Sequence, residues 1–71
     1  MLKYFLESHK NGRKVYVYYP DGNLNPGRVA FNQDGSMEVI EDSIDDVKGY
    51  YRGHALHGIN TSKESGTVAW Y

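Results

Sequence analysis

Seventy-one residues with a formal net charge of −1 leave room for one small domain, close to the size at which a hydrophobic core barely supports itself. The chain has no cysteine, which excludes disulfides and thiolate metal sites, so packing or association must supply its stability. No apolar run approaches the ~20 residues that span a bilayer, and Met1–Glu7 lacks the pattern of a signal peptide, so the expected location is the cytoplasm.

Asn11-Gly12 is the strongest local signal. This pair suits a two-residue type I′ turn, because both positions require positive φ. Residues 2–9 and 14–19, rich in aromatic and β-branched side chains, then form a hairpin. A regular ladder places Lys10 opposite Arg13, Ser8 opposite Val15, Leu6 opposite Val17 and Tyr4 opposite Tyr19. The expected core face is Leu2, Tyr4, Leu6, Val15, Val17 and Tyr19. Lys3, Phe5, Glu7, His9, Lys14, Tyr16 and Tyr18 occupy the opposite face.

Pro20-Asp21-Gly22-Asn23 reads as a turn, and Arg28–Asn32 as a third strand with Val29 and Phe31 on one side. Gln33-Asp34-Gly35 closes a second hairpin onto Ser36–Glu41, with Met37 and Val39 on one face and Glu38 and Ile40 on the other. The period then changes. Ser43 is suited to cap a helix, with Asp45 and Asp46 in its first turn, where carboxylates favour the helix dipole. Ile44, Val47, Tyr51 and Ala55 form one helical stripe that ends near Gly58-Ile59. Gly49 and Gly53 fall inside this helix and weaken it, so the competing reading divides residues 48–59 into two strands and closes the chain as a small all-β barrel. After a polar loop over 60–65, Gly66–Tyr71 reads as a last strand whose Trp70 and Tyr71 should be packed. The expected fold is therefore α+β: a small antiparallel sheet in ββββαβ order with one helix on one face.

Charge is unevenly distributed along the chain. Residues 1–20 carry a balance of +3, residues 21–46 one of −6, and the remainder one of +2. Such asymmetry bears on partners rather than on fold.

No constellation of residues specifies catalysis. His54 and His57 stand at i, i+3, without the i, i+4 spacing and neighbouring glutamate of zinc-helix motifs. The acidic run Glu41–Asp46 lacks the central glycine and closing glutamate of a calcium loop. No serine sits in a nucleophile elbow, and the glycines do not form a phosphate loop. The expectation is no enzyme, no cofactor, no metal, no membrane and no small-molecule substrate.

The outward hairpin face is the candidate binding surface: Phe5, Arg13, Lys14, Tyr16 and Tyr18. Tyrosine-rich surfaces make good protein interfaces, so the chain reads as a small binding or regulatory module that acts on a protein partner or on a second copy as a homodimer. Aromatics interleaved with cations also suit stacking of single-stranded nucleic acid, which is the alternative function.

Overall fold

A computed structural model describes residues 2–20, 25–44 and 49–68. Five strands and one helix follow in chain order: β1 (Leu2–Lys10), β2 (Arg13–Tyr19), β3 (Gly27–Phe31), β4 (Met37–Glu41), α1 (Tyr50–Gly58) and β5 (Ser65–Val68). They form one open antiparallel sheet in the order β4-β3-β2-β1-β5. The first four strands make a meander, and the chain then crosses from the β4 edge to the β5 edge with α1 against one face of the sheet. The α+β expectation holds, and the barrel alternative does not, because β4 and β5 stay at opposite edges.

The first hairpin turns at Asn11-Gly12 with φ of 52° and 78°, as a type I′ turn requires. Near the turn the ladder follows the sequence, with Lys10 opposite Arg13 and Ser8 opposite Val15. The register then shifts. Leu6 pairs with Tyr16, Phe5 with Val17 and Tyr4 with Tyr18, which leaves Glu7 as the extra residue of a β-bulge. A one-residue slip exchanges the faces of every side chain beyond it. Tyr16 and Tyr18 thus join Leu2, Tyr4 and Leu6 on the helix side, while Val17 and Tyr19 turn away from it. The core face expected from a regular ladder is corrected accordingly.

Tyr16 and Tyr18 are both 0% exposed and form the centre of the core with Leu2, Tyr4, Val29, Ala55 and Ile59. The rings pack edge to face: Tyr16 lies 5.7 Å from Tyr4 and 5.8 Å from Phe31 between centroids, in the geometry the aromatic quadrupole favours. Two cross-strand pairs join a tyrosine to a glycine. Tyr18 lies opposite Gly27 and Tyr4 opposite Gly66, and a methyl group on either glycine would overlap the ring beside it.

The helix begins later than the sequence pattern predicts. Gly49 holds the N-cap position at φ 71°, a left-handed conformation that a helix interior does not contain. Ser43 is not the cap. It is 2% exposed and its hydroxyl donates to the Asn25 carbonyl at 2.7 Å, which ties the end of β4 to the start of β3. Ile44 lies outside the helix and is exposed, whereas Tyr51, Ala55 and Ile59 do pack on the core. The expectations for Asp21–Asn23, Asp45, Asp46, Val47 and the packed end Ala69–Tyr71 lie outside the described residues.

Gly53 remains inside the helix, and a Cβ there would meet nothing within 4 Å. Gly53→Ala is therefore expected to stabilise the domain by about 1 kcal/mol, through helix propensity and a less flexible unfolded chain. A urea midpoint that fails to rise would show that the backbone at this position does not tolerate a side chain.

Candidate functional site

The five residues of the expected binding surface do not share a face. Phe5 points away from the helix, is 45% exposed, and meets Tyr19 edge to face with centroids 6.0 Å apart. Arg13 is on the same side, where its guanidinium binds Glu38 at 2.8 Å. Lys14, Tyr16 and Tyr18 lie on the helix side. The cause is the bulge at Glu7, which brings the two tyrosines into register with the inward residues of β1.

Lys14 and Tyr16 perform a structural task there. The ammonium of Lys14 donates to the Thr61 carbonyl, and the Tyr16 hydroxyl donates to the Lys63 carbonyl at 2.7 Å. Tyr4 accepts from the Asn60 N–H at 3.2 Å, and the Leu6 N–H donates to the Glu64 carbonyl at 2.6 Å. Four groups from β1 and β2 thus hold the loop that leads from α1 into β5. Burial, with smaller contributions from Tyr4 and Glu64, raises the Tyr16 phenol above its ordinary pKa, because loss of hydration disfavours the ionised form.

The outward face carries a lattice of ion pairs over small apolar residues. Arg28 on β3 reaches across β2 to Glu7 at 3.0 Å and sideways to Glu41 on β4 at 2.9 Å. Arg13 on β2 reaches across β3 to Glu38. These crossings lie beside Val15 and Ala30, which are buried although they face away from the helix. Glu7, and then Glu41, hold the Arg28 guanidinium still more firmly protonated than usual. At the turn before β4, the Ser36 hydroxyl and N–H both donate to Asp34, at 2.6 and 2.9 Å, and keep its carboxyl below the usual range.

The largest concentration of exposed apolar surface lies elsewhere. Of the five large hydrophobic residues exposed among the described residues, four fall between positions 37 and 44: Met37, Val39 and Ile40 at 40–46%, and Ile44 at 77%. Three of them belong to β4, an edge strand of the sheet. Their apolar character was visible in the sequence, but their exposure was not, since it follows from the position of β4 in the sheet order.

His54 is half-buried and His57 exposed on α1. Among the described residues no group of three or more His, Cys, Asp or Glu side chains is placed to hold a metal ion, and no helix is long and apolar enough to cross a membrane. No family model, no curated protein and no solved structure matches this chain.

Proposed function

We propose that this chain is a small non-enzymatic binding module that acts through protein–protein contacts, with the β4 edge as its contact region. The observation that carries this reading is that Met37, Val39 and Ile40 on the edge strand β4, and Ile44 shortly after it in the chain, are all exposed. Concentrations of exposed apolar residues mark interaction sites, and here they alternate in sequence with the exposed Glu38, Glu41 and Asp42. The nucleic-acid reading loses its stacking platform, because Tyr16 and Tyr18 are core residues.

The test compares the wild-type chain with an Ile40→Lys/Ile44→Lys variant and with Phe5→Ala as baits in host lysate treated with nuclease. Both isoleucines are exposed, so each change is expected to alter stability by no more than about 0.5 kcal/mol. A protein retained by wild type and by Phe5→Ala, but lost with the lysine variant, is the expected result. Retention by all three baits would overturn the assignment of the site. Material that disappears on nuclease treatment would return nucleic acid to the front.

A further inference from the structure

We infer that Asn11 is a site of spontaneous deamidation that the folded turn holds off, so that its side chain is converted in chains whose hairpin has opened. The product then records that event as a permanent change at the tip of the first hairpin.

The sequence sets the reactive pair. Asn11 is the one asparagine followed by glycine, since Asn23, Asn25, Asn32 and Asn60 precede Leu24, Pro26, Gln33 and Thr61. Gly12 has no Cβ to crowd its amide nitrogen, which is therefore free to attack the Asn11 side-chain carbonyl carbon. The nitrogen bonds to Cγ and gives up its proton, and the side-chain amide leaves as ammonia. The product is a five-membered succinimide. Water opens that ring at either carbonyl and leaves aspartate or isoaspartate at position 11. Asn11 is exposed, so this water is at hand.

The folded backbone opposes the first step. Ring closure needs the Gly12 nitrogen on the same side of the Asn11 Cα–C bond as Cβ. Asn11 has φ of 52°, and in a type I′ turn its ψ is about +30°. For an L residue this sets the nitrogen nearly opposite Cβ. The reacting atoms meet only if the bond rotates by nearly half a turn, which undoes the pairing of Lys10 with Arg13.

Neighbouring contacts resist that rotation. Gln33, from the following turn, lies so close to Gly12 that a Cβ there would overlap its side chain. Arg13 is held by Glu38, and Lys14 donates to the Thr61 carbonyl. Conversion in the folded protein thus follows the small population in which the turn is open.

Isoaspartate adds one carbon to the main chain inside a two-residue turn whose length fixes the register of the strands beside it. A converted chain therefore refolds to a weaker hairpin.

The experiment holds the full chain in mildly alkaline buffer, with and without urea above the unfolding midpoint. Digests taken over time are read by chromatography and mass spectrometry. In urea, the peptide containing Asn11 should convert ahead of the other asparagine peptides and give two products of equal mass. Without urea its conversion should be at least about tenfold slower. Gln33→Ala, folded by circular dichroism, should raise the rate in buffer about threefold or more and leave the rate in urea unchanged. The isoaspartyl chain, purified and returned to buffer, should unfold at a lower urea midpoint than the starting protein.

Conversion in urea no faster than at the other asparagines would overturn the assignment of the site. Equal rates with and without urea, or a Gln33→Ala rate in buffer equal to wild type, would overturn protection by the turn and its neighbour. An unchanged midpoint for the isoaspartyl chain would refute the lasting effect on the hairpin.

Discussion

Tyr16→Ala is expected to remove about 3–5 kcal/mol of stability, the range for deleting a large aromatic side chain from a core. A domain of 71 residues has only about 4–10 kcal/mol in total, so the variant should melt about 15–30 °C below wild type or be unfolded at room temperature. The size of the effect follows from how much meets at one ring. Tyr16 packs edge to face on Tyr4 and on Phe31, so its loss leaves a cavity between neighbouring strands and the helix. Its hydroxyl also secures the Lys63 carbonyl in the loop before β5.

Tyr16→Phe separates the two contributions. It keeps the ring and loses the hydrogen bond, for about 1 kcal/mol at neutral pH. The pH dependence then identifies the phenol. Its pKa is raised in the fold, so its contribution is complete below the ordinary tyrosine value near 10. Above that value the unfolded chain releases the proton while the folded one retains it, and stability falls with rising pH until the folded pKa is reached. Wild type should lose stability more steeply than Tyr16→Phe as the pH rises above the ordinary tyrosine value near 10. Parallel curves for the two proteins would show that the phenol is not shielded.

Gly27→Ala should cost about 1–3 kcal/mol, as overpacking does in a close-packed core, because the new methyl group overlaps the Tyr18 ring across the β2–β3 ladder. The sign should reverse when the ring is removed. In a Tyr18→Val background the same glycine replacement should be neutral or should stabilise by about 0.5–1 kcal/mol, the usual advantage of alanine over glycine in a strand. A double-mutant cycle by urea denaturation measures the coupling. If the glycine change costs the same in both backgrounds, Tyr18 does not lie over Gly27 and the packing described for this face is wrong.

These two positions also mark where sequence reasoning stopped. Asn11-Gly12 determined the first turn and the pairing next to it, because few residue pairs accept positive φ twice in succession. The alternation of apolar residues with turn-forming glycines was sufficient for the strands, their antiparallel order and the α+β class. Beyond Ser8 it was not sufficient. β2 reads Arg-Lys-Val-Tyr-Val-Tyr-Tyr, with apolar bodies on both faces, so periodicity had no polar side with which to choose the inside. The choice came from contacts distant in sequence. The bulge at Glu7 brings Tyr16 into line with Leu6 and its hydroxyl to Lys63, and it places Glu7 within reach of Arg28.

The helix start shows the same limit in local form. Ser43, Asp45 and Asp46 have the composition of an N-terminus, but the left-handed backbone of Gly49 sets the boundary and Ser43 is used instead to hold the Asn25 carbonyl. The candidate site was least legible of all. Met37, Val39 and Ile40 carry the same pattern as a central strand, and only the sheet order, with β4 at one edge and the helix crossing to the other, leaves them exposed. The sequence by itself determined which segments become strands and where the first of them turns, since those are matters of local backbone preference. Tertiary structure decided which face is core and which edge is open, because both depend on what the rest of the chain covers.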